Sequence, residues 1–398
     1  MVFMQIAIFI LGFVLFMGLV LVHEWGHYIV ARRNGVKVEE FGLGFPPRAW
    51  GKKRKDGMIL SLNWLPLGGF VKLKGEHDSD TRKGSFGAAS TYAKSKIMLA
   101  GVTMNLIAGL VLLTALAAVG VPKILTTDTV GQDQFTVKSD TKIIRQEVRA
   151  GYVDPGSPAS KIGLNSLDVI LKVSNNAGQS RVVSDTAQLH NATQAFAGQA
   201  VTITYKHQGQ VLQKSTTLLS KSEVDASKKT DNPKGYLGIV PTNLTVQRST
   251  WSAPIVAVGL TKQLVVLTFQ GLGHALSGLG SLIAGGLTGN HTARQNGQEQ
   301  ATSQVGGPVA IVAVLWSGGS LGLSFVLMVI AIISLTLALM NVLPIPALDG
   351  GRLFVMWLSR LFRHPLSAAA EERIHGTGMA VLLALFALIT IVDVRRFF

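Results

Sequence analysis

The sequence predicts an α-helical polytopic membrane protein of about four transmembrane helices, with an inserted β-rich domain and a short membrane-associated β-element. Three observations lead there. Hydrophobic residues make up 48% of the chain and charged residues only 15%, against about 25% charged in soluble domains. Several runs of membrane-spanning length contain no Asp, Glu, Lys or Arg. One long polar stretch between two such runs alternates like β-strands.

The first run is residues 1–22, long enough for a spanning helix of about 20 residues. A cleaved signal peptide would need a basic start and a small-residue cleavage site. Neither precedes His23, and Arg32 and Arg33 follow the run, so it is expected to remain as an anchor. Residues 97–122 form the second run. Residues 300–348 are also charge-free, and their best span is Leu321 to Val342, because glycines and Pro308 interrupt what precedes it. Residues 374–392 form the fourth.

Charge sets the expected orientation. The loop 31–96 carries 14 Lys+Arg and 6 Asp+Glu, whereas the longer segment 121–322 carries 17 and 11. Basic density is thus more than twofold higher in the first loop, which places it in the cytoplasm and the long segment outside. The net charge of +15 is read in the same way, as basic loops of a membrane protein rather than a nucleic-acid surface. There are no cysteines, which excludes disulfides, thiolate zinc sites and iron–sulfur clusters. Any metal must be held by His, Asp or Glu.

Within the loop, Met58–Lys74 reads as two short strands around Pro66, Gly68 and Gly69. An exposed edge there, at Gly68, Gly69 and Phe70, can pair with an extended peptide; a plain cytoplasmic hairpin is the alternative. In the long segment, Leu167–Val173 and Val201–Tyr205 alternate as strands do.

His23-Glu24-Trp25-Gly26-His27 is an HExxH motif. Residues four apart share a helix face, so both imidazoles can reach one metal ion. Glu24 stands beside them, where it can take a proton from an attacking water. These groups continue the first apolar helix, and ionisable groups at membrane depth are costly unless functional. A catalytic zinc needs a third protein ligand. Asp349 is the candidate, as the only acidic residue between Glu299 and Glu371. It follows Asn341-Val-Leu-Pro-Ile-Pro-Ala-Leu, whose two prolines forbid regular helix.

HExxH at the end of the first span, with NxxPxPxLDG after a later one, resembles the bacterial site-2 protease family of intramembrane zinc metalloproteases. Phe41–Gly44, Pro66–Lys72, Gly101–Asn105 and Val305–Ile311 add to the likeness. The resemblance implies Zn2+ held by His23, His27 and Asp349, Glu24 as catalytic acid/base, and Asn341 on substrate backbone. It implies hydrolysis within transmembrane segments of single-span proteins or remnant signal peptides, at a multi-pass protein of the bacterial inner membrane. A metal-binding transporter and a non-catalytic scaffold are the alternatives. Gly156–Ala159, Gly163-Leu164 and Asp168–Ile170 resemble a circularly permuted PDZ domain, with Tyr236, Leu237, Gly238 and Ile239 as its carboxylate-binding loop. That loop would take a peptide C-terminus; a size filter and simple core packing stay open.

The expected divisions are 1–120, the first two helices with HExxH and the β-loop; 121–245, the extracytoplasmic PDZ-like domain; 246–320, a membrane-surface helix and loop; and 321–398, the last two helices with the LDG motif. Residues 253–293 are apolar runs broken by Lys262 and glycines. One crossing there would bring Asp349 to the wrong face, so a surface-lying or partly inserted helix is expected. An even number of extra crossings, using 300–320 as well, is the alternative.

Overall fold

A computed structural model describes residues 2–77, 79–230, 232–288, 307–364 and 366–397. The chain begins with α1 (Val2–Arg33), β1 (Val38–Lys53), β2 (Ile59–Leu73) and α2 (Thr91–Val119). A β-rich stretch follows: β3 (Val121–Pro122), α3 (Thr127–Val130), β4 (Lys142–Val153), α4 (Pro158–Lys161), β5 (Val169–Asn175), β6 (Ser180–Val182), α5 (Thr186–Ala195), β7 (Ala200–His207), β8 (Gln210–Thr217), α6 (Lys221–Ser227) and β9 (Ile239–Arg248). It ends in α7 (Ala253–Thr288), α8 (Pro308–Leu321), α9 (Leu323–Val342), α10 (Asp349–Leu361) and α11 (Ala368–Phe397). There are two compact units: Gln5–Ala115 with Ala257–Phe398, and Met1–Met4 with Leu116–Val256.

Among the described residues, five helices are long and apolar enough to cross a membrane: Gln5–Arg33, Thr91–Val119, Ala253–Gly278, Leu323–Val342 and Ala368–Arg395. Four coincide with the predicted runs. The third lies in the stretch expected to be surface-lying or partly inserted, and its length and composition allow a crossing. Its 26 residues make about 39 Å of helix, more than the hydrocarbon core of about 30 Å. Lys262 is too isolated a charge to prevent that. The rest of the 246–320 loop, residues 289–306, lies outside the described residues, as do Val305 and Gly306 of the Val305–Ile311 match.

The first unit holds the helices together with small residues and hydrogen bonds between helices. A Cβ on Gly26 of α1 would lie 2.6 Å from the Ala100 carbonyl of α2, so the two backbones approach closely there. Leu19 of α1, Leu315 of α8, and Val326 and Ile330 of α9 share one buried cluster. Gly322, with φ of +104°, turns the chain so that α8 folds back on α9, with Gly318 against Phe325 and Val326. At 14 residues, α8 is about 21 Å long. The Ser334 hydroxyl of α9 donates to the Asn105 carbonyl of α2 at 2.7 Å. A surface-lying character is found in α10. It buries Gly350, Gly351 and Met356 and exposes Phe354, Trp357 and Leu361, the pattern of an interfacial helix.

β1 and β2 are each bent, so their pairing makes more than a simple hairpin. Gly42 faces both Ser61 and Phe70, and Leu43 faces both Leu62 and Gly69. The 40–43 run therefore lies between 59–62 and 69–72, and the Gly69–Leu73 run is an outer strand. Phe45, Trp50, Leu62, Trp64 and Leu65 are exposed on this sheet. An exposed apolar set of this size suits contact with lipid rather than water.

The second unit is a sheet of order β3-β9-β4-β5-β7-β8, with β6 on β5. The alternating strands bury Val148, Ile170, Val173, Val201, Ile203 and Tyr205 against Leu189 and Phe196 of the α5 region. At its end, Asp140 accepts from the Thr250 and Ser252 N–H groups at 2.7 and 3.0 Å and from the Ser252 hydroxyl at 2.6 Å. These are the N–H groups that precede α7, so Asp140 caps its start. The Ser252 and Thr250 hydrogen bonds hold the Asp140 carboxyl well below the usual carboxylate range.

Candidate metal centre and active site

His23 and His27 sit one turn apart on α1, on the face turned to α2 and α10. Asp349 is the first residue of α10, where an unpaired helix N-terminus favours a carboxylate. The three meet although 322 residues separate His27 from Asp349. His23 Nε2 lies 3.2 Å from Asp349 Oδ2, and His27 Nε2 lies 3.1 Å from it. The two Nε2 atoms are 3.2 Å apart. Both histidines are only 9% exposed. Among the described residues this is the one group of three or more His, Asp or Glu positioned to share an ion.

The other ring nitrogens show what the group is built for. His27 Nδ1 is 2.8 Å from the Ile97 carbonyl, which can only accept, so Nδ1 carries the proton and Nε2 a lone pair. His23 Nδ1 is 3.2 Å from the Asn105 amide nitrogen, while Asn105 Oδ1 is buried with no partner. Turning that amide over satisfies the orphaned oxygen and lets His23 Nδ1–H donate to it. The His23 Nε2 lone pair then also points at Asp349. In these tautomers two Nε2 lone pairs and a carboxylate oxygen face one another, an arrangement that a bound cation satisfies. Their separations match the roughly 3.3 Å edge of a tetrahedron of ligands about 2 Å from zinc. The residues present therefore fit a zinc ion, with second partners orienting each imidazole.

Backbone packing makes the room. A Cβ on Gly101 of α2 would lie 2.5 Å from both His23 Cε1 and His27 Nε2. Gly351 similarly packs its α-carbon against the Ile345 carbonyl, which draws α10 onto the irregular 343–348 segment. Glu24 lines a cavity of about 460 Å³ together with His27, Asp349, Gly69, Phe70 and Arg352. Val71 lines the same cavity as Glu24, and Gly69 packs against Glu24. The outer strand of the β1–β2 sheet thus presents its free edge to Glu24.

The other predicted residues are placed as follows. Gly68, with φ of +80°, packs on Phe45 beside this cavity's lining residues rather than among them. Asn341 stands in the last turn of α9 and donates to the Leu337 carbonyl at 3.0 Å, outside that lining. In the second unit Tyr236 and Leu237 are buried, Leu237 in the sheet core. Gly238 N–H donates to the Gly235 carbonyl, and Ile239 opens β9. Sequence reasoning gave no role to Asn105 or to the Ile97 carbonyl. Asn105 is the sole Asn, Asp or Glu of the 97–122 run, and a lone amide at membrane depth was the available signal.

Helices crossing a membrane around a buried His, His, carboxylate centre with an adjacent glutamate define an intramembrane metallopeptidase. The profile of Peptidase family M50 matches residues 11–385, and the chain belongs to that family. It is 28% identical to a candidate zinc metalloprotease of Clostridium perfringens over 95% of this chain and 96% of that protein. It is 29% identical to another from Clostridium acetobutylicum, over 98% of each. The regulator of sigma-E protease RseP of Escherichia coli is 25% identical, over 95% of this chain and 96% of that protein.

Proposed function

We propose that this zinc metallopeptidase hydrolyses peptide bonds in membrane-embedded segments of single-span proteins or remnant signal peptides, with His23, His27 and Asp349 as zinc ligands and Glu24 as acid/base. The observation that carries the reading is the convergence of one ligand atom each from His23, His27 and Asp349 beside Glu24 within the helical unit. Bound there, zinc would polarise the scissile carbonyl and acidify water. Glu24, beside His27 in the cavity lining, takes the proton of the attacking water and returns it to the leaving amine. Asn105 and the Ile97 carbonyl keep both imidazoles in the ligating tautomer.

A helical substrate has its carbonyls tied up in i→i−4 bonds. The free edge of Gly69–Leu73 offers replacement partners, so a substrate segment pairs there in extended form, beside Glu24. Leu73 N–H is already taken by Glu76 at 3.0 Å, which leaves Gly69 as the usable donor beside Val71. Asn341 reaches substrate backbone only after leaving its Leu337 bond. In the bilayer, loop 31–96 faces the cytoplasm and the 121–245 domain faces outside, as the basic density requires. With α7 crossing, the chain must return before α9 for Asp349 to reach the level of His27, and α8, at about 21 Å, is shorter than a full span. The PDZ-like domain takes a peptide C-terminus at the Tyr236–Ile239 loop or restricts substrate size.

The test is cleavage of a model single-span substrate by purified protein, with zinc content measured in parallel. Wild type cleaves and a chelator abolishes it; Glu24→Gln keeps zinc and does not cleave. Cleavage by Glu24→Gln at the wild-type rate would overturn the assignment.

A further inference from the structure

Beside the active-site cavity lies a second one of about 320 Å³. Glu76, Phe86, Met98 and Arg352 line both cavities, so the two share a wall. Its lining differs in character from the apolar helices around it. Glu76, Glu371 and Glu372 contribute three carboxylates, and His77 and His375 two imidazoles, against the guanidinium of Arg352. This is an acidic chamber in a chain whose net charge is +15. Glu371 and His375 are four apart on α11 and share a face. His77 Nδ1 lies 3.5 Å from Glu371 Oε2, and the Glu371 side chain is only 12% exposed. Imidazole and carboxylate are the donors that a zinc-like divalent cation selects when thiolates are absent.

The dividing wall is weak. Arg352 and Glu76 approach at 3.4 Å, long for a charge-assisted pair, and both remain partly exposed. The metal centre behind it is buried. A dehydrated divalent ion cannot reach His23 and His27 through the apolar helix faces. A passage lined with successive ligands replaces its water shell in steps.

We propose that this chamber is a divalent-cation vestibule: the His77–Glu371 pair and then His375 draw in the incoming ion in successive steps, and it passes to His23, His27 and Asp349 when the Arg352–Glu76 pair parts. The proposal rests on the reading of those three residues as the zinc site. A channel for water alone would need neither the acid excess nor two imidazoles. In this arrangement Arg352 is the electrostatic barrier and the carboxylates are the attractor.

The experiment loads the full-length, chelator-stripped protein with Co2+ and follows the visible absorption of the bound ion over time. The paired His77→Gln, Glu371→Gln variant should load at least tenfold more slowly, reach the wild-type final absorbance, and cleave substrate normally once loaded. Arg352→Gln should load faster than wild type. Equal loading rates in the wild type and the paired variant would overturn the vestibule. Failure of wild type to take up any Co2+ would instead overturn the metal-centre reading on which it rests.

Discussion

At position 101 any side chain would collide with the two imidazoles, and this makes a glycine in α2 part of the metal site. Gly101→Ala should therefore lose zinc while keeping its helix content, read by metal analysis and circular dichroism. Asn105 acts at one remove, by fixing the His23 tautomer. Asn105→Ala should weaken zinc binding by about 10–100-fold, measured by competition with a chelator. Glu24→Gln should leave zinc in place and cost about 100-fold or more in cleavage rate, since it removes the proton carrier alone. The ligands themselves were readable in the sequence. HExxH is a local spacing, and Asp349 is isolated among apolar residues. Asn105 and the Ile97 carbonyl were not, because their partnership depends on where α2 crosses α1, which no local pattern encodes.

The outer strand of the β1–β2 sheet owes its position to a pairing that skips sequence order. Two strands around Pro66 were legible from alternation and glycines. That the 40–43 run would be flanked on both sides was not, because register depends on partners rather than on the strand itself. If substrate adds to the Gly69–Leu73 edge, Gly69→Pro removes an edge N–H and should raise KM several-fold with zinc content unchanged. An unchanged KM would show that the edge is not used. That 253–288 forms one continuous helix was not legible, because Lys262 and its glycines interrupt the apolar signal. Its anchorage is a separate matter. Asp140 holds the start of α7 with a depressed carboxyl pKa. The contribution of such a group is fully present above the unfolded carboxylate value of about 4 and is lost as pH falls through the lower folded value. Asp140→Asn should therefore lower Tm at neutral pH, and the gap to wild type should close as the medium is acidified below pH ~4.

For the whole molecule, composition and charge asymmetry identified the class and the expected sidedness, since both are sums over many residues. The chain contains no cysteine, so single cysteines report topology without background. In intact cells a cysteine replacing Lys229 should react with an impermeant maleimide, and one replacing Lys55 should react only after the membrane is opened. The opposite pattern would invert the orientation. The inserted β unit has a well-defined core, and Leu237 is part of that core. Leu237→Ala should therefore lower the stability of that unit, read by its thermal unfolding.

The 322 positions between His27 and Asp349 also bear on biosynthesis. A nascent chain that has threaded only its opening helices into the bilayer holds two imidazoles and the glutamate but lacks the carboxylate. With Asp349 as the third ligand, as proposed, proteolytic competence appears only after translation has passed α10. Until then the inserted helices carry the motif of a protease without its activity.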